Sequence, residues 1–136
     1  MVENVAPDQV YRALMADPRA RLVDVRTDAE WTYVGLPDLS ATGRDPVLIP
    51  WQFFPTGQVN AGFMDQLQGA GLEADAPVYF LCRSGIRSTA AAALAGQHGF
   101  SHAYNIADGF EGPVDADGHR GVVAGWKAAG LPWGQR

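Results

Sequence analysis

The stretch Val78-Tyr79-Phe80-Leu81-Cys82-Arg83-Ser84-Gly85-Ile86-Arg87-Ser88 constrains this chain more than any other. Four apolar, β-prone residues run without a polar break into the only cysteine, which reads as a fully buried strand. The residues after Ser88, Thr89 to Ala95, are strongly helical in propensity. The unit is therefore strand, tight loop, helix. It places a thiol at the carboxyl end of a strand, a few residues before a helix N-terminus.

That placement has chemical consequences. The first N–H groups of a helix lack intrahelical partners, and the macrodipole puts partial positive charge there. Successive N–H groups in a compact loop form a concave anion nest. Gly85 permits backbone angles that other residues resist. Arg83 and Arg87 add positive charge, and no carboxylate lies between Cys82 and Ala107. A thiol in such a setting is expected to favour its thiolate. The alternative, a small buried hydrophobe at a strand end, leaves the arginines and the glycine unexplained, so the reactive reading is preferred.

A chain of 136 residues suits a single domain spanning 1–136. The net charge of −5 argues against nucleic acid as a partner, which requires a basic face. An anionic ligand must then be attracted locally, by the Cys82 loop. One cysteine makes neither an internal disulfide nor a cysteine-rich metal site, and no metal or cofactor is expected. The N-terminus lacks a basic region followed by an apolar run, and no segment reaches the roughly 18 apolar residues of a membrane span. A reducing cytoplasm with no membrane association is the expected setting.

Pro7 and Asp8 suit a helix start, with Val10, Tyr11, Leu14 and Met15 on one face and Asp17-Pro18 as the stop. Arg21 to Val25 reads as a short buried strand, with Asp24 and Arg26 at its carboxyl end, where ligand sites of open α/β sheets gather. A supporting role is expected of both rather than a direct chemical one. Thr27 and Glu30 have capping-box spacing. The region from Val34 to Thr56 is irregular, with a short strand at Val47-Leu48-Ile49 and an aromatic cluster of Trp51, Phe53 and Phe54 as a core edge or pocket wall. Asn60 is expected to cap a helix carrying Phe63, Met64 and Leu67. His102 to Ile106 reads as a strand, and His98 and His102 lack any ligand-type cluster. Asp108 to Gly121 reads as a polar loop. Val122, Val123, Trp126 and Ala129 are predicted to form a last helix face, capped by Gly130. This alternation implies a mostly parallel sheet covered on both sides.

The sequence resembles the rhodanese-like sulfurtransferase family over nearly its whole length. Leu22-Val23-Asp24-Val25-Arg26 with Glu30-Trp31 looks like the family's first signature. Tyr79 to Ser88 looks like its active-site loop. Asp108-Gly109-Phe110, Trp126 and Gly130-Leu131-Pro132 look like its closing segment. Gly35-Leu36-Pro37-Asp38-Leu39 departs from the family's Gly-His-Ile-Pro-Gly-Ala stretch and lacks its histidine, and the Asp108–Gly121 loop is longer than usual. The resemblance implies a three-layer α/β/α fold with a central sheet of about five strands. It also implies that Cys82 is the nucleophile, that Arg83, Ser84, Gly85, Ile86, Arg87 and Ser88 bind substrate, and that Asp24 and Arg26 support them. The implied reaction moves sulfur from a small anionic donor through a Cys82 persulfide to a thiophilic acceptor, cyanide in assay. Two loop arginines favour thiosulfate over 3-mercaptopyruvate.

Two rivals stand beside this reading. Cysteine phosphatases and arsenate reductases place five residues between cysteine and arginine. Here Cys82 and Arg87 enclose four, a loop too small to surround phosphate. The other rival is a persulfide carrier or sensing module that hands sulfur to a protein acceptor, which the same cysteine chemistry would serve.

Overall fold

A computed structural model describes residues 2–135. The first strand, β1 (Glu3–Val5), leads into helix α1 (Pro7–Ala16), strand β2 (Arg21–Asp24) and the short helix α2 (Asp28–Tyr33). Two short strands follow, β3 (Leu36–Pro37) and β4 (Val47–Leu48), then helix α3 (Phe63–Gln68). The strand-loop-helix unit is β5 (Val78–Leu81) and α4 (Ile86–Gln97). β6 (Ala103–Ile106) and β7 (Trp133–Gly134) complete the order.

Five strands form one sheet in the order β1-β6-β5-β2-β4, and every neighbouring pair is parallel. Parallel neighbours require crossover connections, and the intervening helices supply them. β5 lies at the centre, with Val78 to Leu81 buried on both faces, which explains its unbroken apolar run. Side chains alternate along it. Val78, Phe80 and Cys82 join Phe63, Leu67, Ala91, Ala92 and Ala95 on the α3–α4 side. Tyr79 and Leu81 join Val10, Leu14, Phe110 and Trp126 on the α1 side. The strand period of two thus sends Cys82 toward α4. Three alanines of α4 are buried against the sheet, which lets the helix approach closely.

The sheet and its flanking helices match the predicted three-layer α/β architecture. Several local expectations need correction. Met15 is 52% exposed and does not share the buried face of Val10 and Leu14. Asn60 does not cap α3 directly. Its Oδ1 accepts from the N–H of Gly62, the residue just before the helix, while its Nδ2 donates to Pro50 O and Gln66. The predicted last helix is absent: residues 108–132 form successive turns, with Val122 and Val123 exposed and only Trp126 of that set fully buried. Gly125 is the physical reason. It takes a φ of +101°, and a Cβ there would lie 2.9 Å from Gly109 O and 3.0 Å from Gly112 N, so the chain packs backbone on backbone rather than coiling. Trp126 anchors the segment through its Nε1–H, which donates to Pro132 O.

The stretch from Gly35 to Leu39 has a structural use. Leu36–Pro37 pairs antiparallel with Trp133–Gly134. This two-stranded ribbon ties the chain after α2 to its closing segment.

Candidate active site

The site begins with the turn between β5 and α4. Gly85 takes a φ of +114°, which a side chain would strain, and it bends the chain straight into the first turn of α4. The bend points backbone and side-chain groups of the helix start back at the cysteine. Gly85 N–H donates to Cys82 Sγ at 3.1 Å, and Ser88 Oγ lies 3.1 Å from the same sulfur. Cys82 is 1% exposed. Hydrogen-bond donors aimed at a sulfur at a helix N-terminus suit an anionic sulfur, whether thiolate or persulfide.

The loop is clamped from below. Cys82 O accepts from Phe110 N–H at 2.8 Å, and Arg83 O accepts from the N–H groups of Glu111 and Gly112. The turn that follows β6 therefore holds the two peptide units that follow Cys82. Gly109 touches them directly, since a Cβ there would come within 2.5 Å of Cys82 O.

The remaining loop residues have distinct surroundings. Arg87 is not free. Its two terminal nitrogens donate to the two oxygens of Glu30, at 2.7 and 3.0 Å. Burial works against ionisation of Glu30. The Arg87 hydrogen bond and charge, the Thr27 N–H and the Arg26 charge outweigh it and hold the carboxyl below its ordinary range. The Glu30 hydrogen bond raises Arg87 against its own burial. Glu30 also completes the capping box with Thr27, so one side chain both starts α2 and holds the Cys82 loop through Arg87. Arg83 is exposed, Ser84 is half-buried, and Ile86 is 81% exposed. Ser88 is fully buried.

Asp24 and Arg26 are both fully buried and paired with each other at 2.7 Å. Arg26 also donates to Gly35 O at 2.8 Å, and its guanidinium lies 4.3 Å from the centre of the Phe110 ring. The pair therefore links the end of β2 to the turn after α2 and to the segment that clamps Cys82. Lys127 sits over Phe110 and Trp133 as well. Burial lowers its affinity for a proton and the Arg26 charge adds to that, against the opposing pull of Glu111.

A cavity of about 600 Å³ opens beside the loop. Arg83, Arg87 and Arg120 line it with Tyr33, Phe53 and Phe54. Phe53 and Phe54 are thus pocket wall, whereas Trp51 packs edge-on against Phe63 in the core. Sequence reasoning missed three participants. Glu30 was legible as a cap, but nothing local showed that its carboxylate reaches Arg87, 57 positions away. Arg120 lies in a loop without pattern. Asn105 Oδ1 accepts from the Ser88 hydroxyl at 2.5 Å, and its Nδ2 donates to Asn4 Oδ1 at 2.8 Å. Its one signal was an asparagine within an otherwise apolar strand. Among the described residues, no cluster of three or more His, Cys, Asp or Glu could hold a metal. No helix among them is long and apolar enough to cross a membrane.

Comparison with known proteins places this geometry. The family model described as the STR4 middle domain matches residues 3–136. An uncharacterized protein of Rickettsia prowazekii is 37% identical over 134 residues, covering 98% of each chain. The Rhodanese-like domain-containing protein 4, chloroplastic, of Arabidopsis thaliana is 30% identical over 124 residues, which are 90% of this chain and 24% of that protein. The crystal structure of Rv0390 from M. tuberculosis superposes with a TM-score of 0.91 at 47% identity, covering 99% of this chain and 98% of that one. The cysteine loop, the five-stranded parallel sheet and these matches agree: the chain belongs to the rhodanese-like sulfurtransferase family, within which it matches the STR4 middle domain.

Proposed function

We propose that this domain takes sulfane sulfur from a small anionic donor, thiosulfate in the first instance, and passes it through a Cys82 persulfide to a thiophilic acceptor. The observation that supports this best is the pair of 3.1 Å contacts on Cys82 Sγ from Gly85 N–H and Ser88 Oγ. They form a small cradle that fits one extra sulfur better than a phosphate. Cys82 thiolate attacks the outer sulfur of thiosulfate. The S–S bond of the donor breaks, and sulfite leaves with the electron pair. The new Cys82–S–S⁻ charge falls among the loop N–H groups and the helix dipole. The acceptor then attacks the outer sulfur, the Cys82–S bond to it breaks, and the thiolate is restored. This is covalent, ping-pong catalysis without a general base.

Arg83 and Arg120, rather than the paired Arg87, are the cations best placed to meet the sulfonate end of the donor. Ser84 and Ile86 contribute loop backbone. Asp24 and Arg26 support the loop through Gly35 and Phe110. A free thiol that must remain reduced suits the cytoplasm. A second reading has the persulfide handed to a larger acceptor, a protein among them. The cavity favours it, because 600 Å³ lined by aromatic rings far exceeds what cyanide needs.

The test is thiocyanate formation from thiosulfate and cyanide, with Cys82→Ala beside the wild type. Turnover lost in the variant supports transfer through Cys82. Absence of wild-type turnover, together with no gain of one sulfur by mass after donor treatment, overturns the proposal.

A further inference from the structure

Ser88 stands between two groups that compete for its one hydroxyl hydrogen. Its Oγ is 3.1 Å from Cys82 Sγ and 2.5 Å from Asn105 Oδ1. A serine hydroxyl donates once, and a carboxamide oxygen only accepts. The amide end of Asn105 is already committed, since Nδ2 donates to Asn4 Oδ1 at 2.8 Å. With Nδ2 turned to Asn4, Oδ1 is the end of Asn105 that faces Ser88. While the hydroxyl hydrogen points to Asn105, Ser88 offers sulfur only a lone pair, which suits a protonated thiol as donor. An anionic sulfur requires the hydrogen itself. Asn105 Oδ1 then loses it, in a residue only 4% exposed.

We propose that Asn105, held by Asn4, is a positioning residue that withholds the Ser88 hydroxyl hydrogen from the resting Cys82 thiol and yields it when the sulfur becomes anionic. On ionisation the thiol proton passes to solvent. The hydroxyl hydrogen stays bonded to Ser88 and only turns. The two hydrogen-bond patterns give the site one arrangement for the thiol and another for thiolate or persulfide. The inference rests on Cys82 being the nucleophile, but not on any donor or acceptor.

The charged groups of the site around the sulfur are Arg83 of the loop, Arg87 of α4 with its partner Glu30 of α2, and the Asp24–Arg26 pair at the carboxyl end of β2. None of them changes in the variants that test the idea. Because the chain has one cysteine, ultraviolet thiolate absorbance, corrected with Cys82→Ala, follows Cys82 alone through a pH titration. Ser88→Ala removes the donor and is expected to move the thiolate midpoint to higher pH. Asn105→Ala removes the competitor and is expected to move it lower, by about one pH unit for one hydrogen bond redirected. Asn4→Ala alters an exposed residue of the edge strand, leaves the fold intact and is expected to move it the same way by less. In Ser88→Ala, adding Asn105→Ala is expected to change nothing, an outcome that a merely structural role does not produce.

A midpoint that rises or stays fixed in both Asn105→Ala and Asn4→Ala overturns the proposal. So does an Asn105 effect that persists without Ser88. If Asn105→Ala fails to fold, Asn4→Ala alone and its double variant with Ser88→Ala decide. The titration needs no sulfur transfer, so a folded protein with these shifts and no thiocyanate turnover would sink the proposed reaction and leave this inference standing.

Discussion

Replacing Gly109 with alanine tests how Cys82 is held. Gly109 takes a φ of +65°, and its missing Cβ would lie 2.5 Å from Cys82 O and 2.6 Å from the carbonyl carbon and oxygen of Arg83. The left-handed conformation alone costs a non-glycine residue about 1 kcal/mol. The clash adds more, because the obstructing atoms are backbone and cannot rotate away. Relief requires moving the Cys82 carbonyl by several tenths of an ångström, and that carbonyl accepts the Phe110 N–H at 2.8 Å. Overpacking of this kind costs about 1–3 kcal/mol, and weakening a buried hydrogen bond about 1 kcal/mol more. The sum is about 3–5 kcal/mol, a fall in melting temperature on the order of 10–15 °C. Gly118→Ala is the matched control. Its φ is +82° with no atom within 4 Å of the missing Cβ, so it carries the conformational cost without the clash and should lose only about 1 kcal/mol. Thermal and urea unfolding of the two variants measure the difference. The proposed sulfur transfer should also fall in Gly109→Ala below its melting range, since the displaced carbonyl belongs to Cys82. Equal destabilisation of the two variants would refute the reasoning, because the close approach would then have no energetic weight.

Three further outcomes are expected. Glu30→Gln should cost about 1–2 kcal/mol at neutral pH, because a charged two-point contact to Arg87 becomes neutral. The folded Glu30 carboxyl is held below its ordinary value of 4.5, so its stabilisation is present above that pH and is lost as pH falls through the lower folded value. The gap between wild type and Glu30→Gln in denaturant titrations should therefore be flat from pH 6 to 8 and close in acid; a gap that widens in acid contradicts the pairing. Phe54→Ala should leave stability within about 0.5 kcal/mol, since the ring is exposed, yet slow transfer to a bulky aromatic thiol more than transfer to cyanide. Equal slowing with both acceptors would remove the cavity from acceptor choice. Trp126→Phe should cost about 1–2 kcal/mol, because a smaller ring underfills a fully buried site and the bond to Pro132 O is lost, while that carbonyl keeps the Asp38 N–H; thermal unfolding reads it, and an unchanged melting temperature contradicts the anchor role.

How much of this was legible follows from the range of the interactions. β5, the loop and α4 are contiguous, and apolar run, glycine and alanine tract each carry a local signal. The capping box at Thr27 and Glu30 is local as well. The β3–β7 ribbon was not legible, because two residues on each side carry no period. Nor was β1, whose Glu3-Asn4-Val5 is too short to show alternation and is defined by pairing with Tyr104 to Ile106. Val122 to Ala129 had helical spacing, yet Gly125 against Gly109 overrode it. Around the sulfur, backbone donors could be anticipated from a strand-to-helix turn. The partners of Arg87 and Ser88 could not, since Glu30, Asn105 and Asn4 arrive through tertiary packing.

The place of β1 in the sheet bears on how the site comes into being. Asn4 meets Asn105 across 101 positions of sequence. Contacts so distant are entropically expensive to close and form late, after more local units have consolidated. During synthesis, β5, its loop and α4 can emerge and pack before β6 exists. The thiol is then surrounded by its nearest donors while its deeper hydrogen-bond chain is still open. The surroundings of Cys82 are therefore completed by a contact between β1 and β6, and a nascent or frayed molecule would carry the thiol before it carries the full hydrogen-bond chain around it.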